Sequence, residues 1–334
     1  MTTAFVQRRR DRRRARRAAL RTRPYATAAF NTPTAPCEVV PVTTADGTRL
    51  RVHAYGPADG ELIVLVHGWT CCLENWNPQI NAFADKYRVV AYDHRGHGES
   101  ELGRSRLTTD LLADDLQTVL AAVQGPAQRA VLVGHSLGGM TIQAWAARYP
   151  QHAADRTAAV VITNTADGDL IAQTTLVPGF NRGRLRLPHW LGRLALGTPA
   201  VIPPVRPMKW VFRRQVMSLA ATGDTVDFGF NVVRSCPVRA RSKFGFLLAD
   251  LDIKGTAASL SGPVTVVAGE NDDLTPAVQA DRIVETLRHA GVAHHRVTLP
   301  TGHFSQVEAY PDFNRELAET LATAFGPQQD RISG

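Results

Sequence analysis

The chain predicts an α/β fold, with a mostly parallel sheet flanked by helices and one long insertion late in the chain. Three observations point there. Short apolar or β-prone runs at 62–66, 88–92, 130–133, 159–162 and 263–268 read as strands, most of them continuous enough to be buried on both faces. Stretches with helical spacing separate most of these runs, and alternation of strand and helix implies a parallel sheet. The rhythm then stops over residues 166–258, which are rich in Pro, Arg and apolar residues, and resumes afterwards.

Taken in order, residues 1–23 hold ten arginines and one aspartate. A block of like charge with no apolar core segment is no secretory signal and is expected to stay solvated. An Arg-rich, acid-poor start also fits an organellar transit peptide in a eukaryotic source. Three prolines within 24–36 read as a linker, so 1–36 is expected to be a disordered tail and linker. Runs at 38–43 and 48–55 flank Asp46-Gly47, a hairpin signal. The strand at 62–66 ends at His67-Gly68-Trp69, and a helix is expected over 75–83. The strand at 88–92 ends at Asp93-His94-Arg95-Gly96-His97-Gly98-Glu99-Ser100. Thr109 is placed to cap an amphipathic helix carrying Leu112, Leu116, Val119 and Val123. The run at 130–133 meets Gly134-His135-Ser136-Leu137-Gly138 and passes into a helix over 140–149. A helix follows Pro276, a strand covers 295–299, and 311–325 reads as a closing helix. The divisions are therefore 37–165 and 259–326 for the core, 166–258 for a cap or lid, and 327–334 for a C-terminal tail.

The net charge of +8 is unevenly spread. The tail and the insertion are basic, and the rest of the chain is acidic. Some contact with an anionic membrane surface through the Arg-rich tail and cap is expected, with no specific nucleic acid partner. Within the insertion, 205–216 reads as a basic amphipathic helix. It is either an interfacial segment or a lid helix packed on its own domain. No apolar run is long enough to span a membrane, and a cytoplasmic protein is expected. The four cysteines, Cys37, Cys71, Cys72 and Cys236, show neither metal spacing nor a disulfide framework. Cys71 and Cys72 are read as buried inert thiols rather than reactive ones.

Ligands on parallel sheets bind beyond the carboxyl ends of the strands. Four strands here end in loops bearing His67-Gly68-Trp69, Ser136, Asp272 and His303. Strand, Gly-x-Ser-x-Gly, helix is the context of a nucleophile elbow. Together with Asp93–Ser100, Gly269-Glu270-Asn271-Asp272-Asp273-Leu274-Thr275-Pro276 and Gly302-His303-Phe304, these motifs resemble the α/β-hydrolase family over roughly residues 38–325.

The resemblance implies Ser136 as nucleophile, His303 as its base and Asp272 as the residue that orients His303. Asp273 is the rival for that last role, and the family spacing Gly-x-x-Asp-x-x-x-Pro, from Gly269 to Pro276, selects Asp272. The oxyanion hole is expected from the backbone N–H groups of Trp69 and Leu137. The Trp69 indole is left open between pocket wall and core. In the family the stretch from Asp93 to Ser100 is a structural turn, so His94, His97 and Ser100 are read as turn residues. No metal and no cofactor are implied.

A serine at the elbow is unlike the carboxylate nucleophile of haloalkane dehalogenases and epoxide hydrolases, and residues 166–258 contain no tyrosine to activate an epoxide. His135-Ser136-Leu137-Gly138-Gly139 is similar to the elbow of small carboxylesterases and monoacylglycerol lipases. The expected function is thus a serine carboxylester hydrolase, esterase or lipase-like, acting on a fairly apolar ester through an acyl-enzyme. The alternatives are an acyl thioesterase, a C–C bond hydrolase, a cofactor-free perhydrolase, or a non-enzymatic ligand-binding member. Oligomeric state is not readable from the chain.

Overall fold

The computed structural model describes residues 15, 18–176, 180–181, 184–199 and 201–326. Strands β1 (Cys37–Thr43) and β2 (Arg49–Tyr55) form an antiparallel hairpin whose turn carries Gly47 at φ 77°. The strands that follow are β3 (Leu62–Val66), β4 (Arg88–Tyr92), β5 (Ala130–His135), β6 (Thr157–Thr163), β7 (Val264–Gly269) and β8 (His294–Leu299). They build one sheet in the order β1-β2-β4-β3-β5-β6-β7-β8, parallel throughout from β4 to β8.

The apolar runs dictate the layering. In β3, Leu62, Val64 and Val66 join one core cluster, while Ile63 and Leu65 join the other, on the opposite face. Helices α1 (Asn77–Phe83), α2 (Thr109–Val123), α3 (Leu137–Arg148) and α4 (Pro150–Arg156) precede β6. Between β6 and β7 come α5 (His189–Gly197), α6 (Arg206–Val216), α7 (Gly223–Ser235) and α8 (Val238–Ala249). Then follow α9 (Ala277–His289) and α10 (Tyr310–Phe325). Leu116 of α2, Ile142 of α3 and Ile283 of α9 cover one face; Ile80 of α1 and Leu317 of α10 cover the other.

Several local expectations change. The cap of α2 is Thr108, whose Oγ1 accepts from Leu111 N at 3.1 Å, not Thr109, which is already helical. Helix α3 begins directly after Ser136, three residues earlier than the sequence suggested. Helix α4 was not anticipated, because Pro150 looks like a terminator but sits in its first turn.

The largest correction concerns residues 18–36. They are not a free tail and linker. Leu20, Tyr25 and Phe30 are buried, and Phe30 stacks on Phe228 of α7 with ring centroids 4.8 Å apart. Thr27 N donates to Asp224 Oδ2 at 2.7 Å, and Asn77 Nδ2 donates to Phe30 O at 3.0 Å. The prolines and arginines around these apolar side chains disguised a segment that bridges α7 and α1. Residues 1–14 of the tail, and the C-terminal stretch 327–334, lie outside the described residues.

Candidate active site

Ser136 occupies the junction of β5 and α3 with φ 53° and ψ −117°. A non-glycine residue in such a conformation costs of order 1–3 kcal/mol and persists only where its surroundings enforce it. They do. Ser136 N donates to Thr163 O at 3.0 Å, and Ser136 O accepts from Thr165 Oγ1 at 2.7 Å and from Met140 N at 3.1 Å. Gly138 completes the enforcement: a Cβ there would sit 1.9 Å from Val66 O, so only glycine lets α3 start against the end of β3. The Ser136 side chain forms no hydrogen bond among the described residues and lines a cavity that His303 also lines.

His303 follows β8. Its Nδ1–H donates to Asp272 Oδ2 at 2.8 Å, which leaves Nε2 as the remaining ring nitrogen. Asp272 follows β7 and accepts four further bonds, from Leu274 N, Thr275 N, Thr275 Oγ1 and Asn164 Nδ2, at 2.7 to 3.0 Å. Burial alone would raise its pKa. The charge and hydrogen bond of His303, with the Thr275 and Asn164 donors, outweigh burial and hold the carboxyl below the usual carboxylate range. Asp273 points elsewhere: its carboxylate accepts from Thr175 Oγ1 in the β6–β7 segment. The structure thus brings Asp272, not Asp273, to the histidine.

The two expected oxyanion donors flank Ser136. Leu137 is the first residue of α3, so its N–H lies among the unpaired donors of a helix N-terminus. Trp69 follows Gly68, where a Cβ would come 3.1 Å from Ser136 Cβ, so the 67–70 loop touches the serine. Neither N–H has a partner among the described residues. The loop is held from behind by two histidines. His67 Nδ1–H donates to Gly68 O at 2.7 Å while its Nε2 accepts from His94 N at 3.0 Å. His97 Nε2 accepts from Thr70 N at 3.2 Å. Reading His97 as a turn residue alone therefore understated it. Burial lowers the pKa of His67, and of His97 to about 3, so both stay neutral and able to accept. Cys71 and Cys72, in the same region, are fully buried thiols with pKa values pushed up by burial, which removes the reactive reading.

The Trp69 indole lines the cavity and donates from Nε1 to Arg241 O of α8 at 3.1 Å. The cavity measures about 370 Å³ and is walled mainly by apolar side chains, among them Met140, Ile171, Phe212 and Phe304. Its lining is shared between the β6–β7 segment and the loops after the strands.

Glu308 escaped sequence reading altogether. Its carboxylate accepts from Gly302 N and Phe304 N, on either side of His303, and from Ser218 N just after α6. His303 N itself donates to Val216 O at 2.7 Å. Burial raises the Glu308 pKa against the pull of these donors. Asn164 and Thr275, the outer partners of Asp272, were missed as well. Asn164 acts on a partner 108 residues away and Glu308 acts through backbone groups, so no spacing rule announces either; Thr275 lies only three residues from Asp272, inside the motif, but the motif does not single out its hydroxyl.

Comparison with known proteins follows the same line. A family model for the alpha/beta hydrolase fold matches residues 61–201. A bifunctional esterase/perhydrolase from Acinetobacter calcoaceticus is 40% identical over 112 residues, 33% of this chain and 39% of that protein. A second such local match, to a non-heme chloroperoxidase of Streptomyces lividans, spans 38% of that protein. A 3-oxoadipate enol-lactonase from Acinetobacter baylyi is 26% identical over 83% of this chain and 95% of its own. Among solved structures, a hydrolase from Pseudomonas aeruginosa superposes with a TM-score of 0.68 at 25% identity, covering 85% of this chain and 98% of that one.

Proposed function

We propose that this chain is a serine carboxylester hydrolase of the α/β-hydrolase fold superfamily, acting on apolar acyl esters; the family match over residues 61–201 and the superposition on a solved hydrolase support the reading. One observation carries the reading. A strained serine and an aspartate-anchored histidine face the same apolar cavity, beside two unengaged backbone donors.

Ser136 Oγ attacks the acyl carbon and passes its proton to His303 Nε2, because Nδ1 is committed to Asp272. The carbonyl oxygen, now an anion, is received by the N–H groups of Trp69 and Leu137; one such donor is worth ~3–4 kcal/mol of barrier. His303 returns the proton to the departing alcohol. Water then gives a proton to His303 as it adds to the acyl carbon; the bond to Ser136 Oγ breaks, His303 returns the proton to that oxygen, and the carboxylic acid leaves. Ser136 Oγ forms no hydrogen bond to the imidazole among the described residues, and a catalytic contact of this kind commonly tightens only when substrate binds. The apolar cavity favours an acyl chain over a polar acyl group. Residues 166–258 act as the cap that roofs the cavity.

A fluorophosphonate probe tests the assignment. Wild-type protein is expected to label and Ser136→Ala is not; equal labelling of both would remove Ser136 as nucleophile. Turnover of p-nitrophenyl esters should rise with acyl length until the cavity is filled. Labelling without turnover on any ester, thioester or monoacylglycerol would favour a ligand-binding member instead.

A further inference from the structure

Ten large apolar residues are exposed among the described residues, and eight of them fall between Leu185 and Leu219. Trp190, Leu191 and Leu194 lie on α5 and Trp210 on α6, and the other four lie in the segments beside these helices. Each of these helices has two apolar sides. The inner side of α6 gives Met208, Val211 and Phe212 to the cavity. Its outer side carries Trp210, 64% exposed, with Arg206 and Arg214 four residues before and after it on the same exposed stripe. Likewise α5 turns Leu196 and Gly192 to the cavity and leaves Trp190, at 68%, and Leu194, at 55%, in the open.

Charge decides what covers this face. Between Asp169 and Asp224 the chain has eight arginines and lysines and no aspartate or glutamate; Arg193 and Lys209 pair with Asp250 and Asp227, whereas Arg206 and Arg214, on either side of Trp210, form no ion pair among the described residues. A second copy of the chain would bring like charges together, which disfavours self-association through this face. An anionic lipid surface satisfies both features: indole rings settle at the headgroup level, and arginines meet the phosphates. An apolar face of this kind on a monomer otherwise signals an interaction site of some sort.

We propose that the outer faces of α5 and α6 dock on an anionic lipid surface, with Trp190 and Trp210 as interfacial anchors flanked by Arg206 and Arg214. The cavity under the same two helices then takes its ester from the bilayer rather than from bulk water. That last step rests on the hydrolase reading above; the docking does not.

The test separates the two. Full-length protein carrying Ser136→Ala is co-sedimented with vesicles of phosphatidylglycerol mixed into phosphatidylcholine, and with phosphatidylcholine alone. Binding is expected to the mixed vesicles, weaker by about tenfold to the neutral ones, and reduced by added salt. Trp190→Ser with Trp210→Ser should lower binding about tenfold, and Arg206→Gln with Arg214→Gln should erase the preference for anionic lipid. In the wild-type background both pairs should retain hydrolysis of a soluble short-chain ester, which shows that the fold is intact. Absence of binding to anionic vesicles overturns the proposal. So does unchanged binding by both variants, which would move the contact to the Arg-rich tail. Concentration-dependent dimerisation abolished by the tryptophan pair would assign the face to a second copy instead. Docking without any ester hydrolysis would leave this proposal standing and remove the hydrolase reading.

Discussion

Ser136, Asp272 and His303 stand out in the sequence as candidates because each follows the carboxyl end of a strand, where short motifs keep their spacing. Choosing Asp272 over its neighbour is the finest distinction the motif allowed. The structure supports it through one bond: Asp272 Oδ2 meets His303 Nδ1, while Asp273 turns to Thr175. Asp272→Asn is expected to preserve the fold and lower kcat by roughly 10⁴, because an amide can stabilise neither the right tautomer nor the imidazolium. Asp273→Asn should stay within about threefold of wild type, as expected of a change away from the reacting atoms. Steady-state kinetics on one chromogenic ester would reverse the assignment if the two variants exchanged places. What could not be read at this scale is the role of Thr275 and Asn164. They act on a carboxylate already chosen, and nothing in their spacing marks them.

Between elements, the notable link is the one from α6 to the histidine loop. Val216 O accepts from His303 N, and the Glu308 carboxylate accepts from Ser218 N, Gly302 N and Phe304 N, so the chain at the end of α6 and the loop that carries His303 share one set of bonds. Glu308 is expected to act as a positioning residue for His303. Glu308→Ala would strip acceptors from three backbone N–H groups and should cost at least ~2 kcal/mol of stability. It should also lower kcat more than it raises KM, with partial recovery in Glu308→Gln. A pure stability loss with unchanged kcat in the folded fraction would make Glu308 merely structural. Sequence could not reveal this contact, since Ser218 and Glu308 are 90 residues apart. The strands and main helices, by contrast, were largely readable, because each carries its periodicity locally. Their boundaries shifted where a side chain competes with the pattern, as at Thr108.

Across the whole molecule, burial of neutral histidines sets a pH dependence. His67, His94, His97 and His135 are each fully buried, and burial lowers all four pKa values, those of His97 and His135 to about 3. Unfolded, each would bind a proton near pH 6.5. Below that pH, and down to the folded values, the unfolded chain holds more protons than the folded one, so stability falls as pH falls. Each such histidine contributes about 1.4 kcal/mol per pH unit within its window. Denaturant midpoints measured from pH 8 downward should therefore drop steeply below about 6.5, and His97→Gln should make the slope shallower by about one proton. A flat profile would show that these rings are not held neutral by the fold. Asp272 adds to the same acid limb: its depressed pKa supplies stability above the ordinary carboxylate range that is lost as pH falls through the folded value.

The packing of residues 18–36 also has a meaning in time. Phe30 rests on Phe228, and Thr27 reaches Asp224 across 197 residues of chain. Residues 18–36 are made before α7, so their contacts with Asp224 and Phe228 can form only once α7 has been made, and their placement is expected to come late in folding. A chain begun at residue 37 would skip that late step, and would be expected to form its sheet yet expose α7 to protease, with cleavage within Gly223–Ser235 as the observable sign.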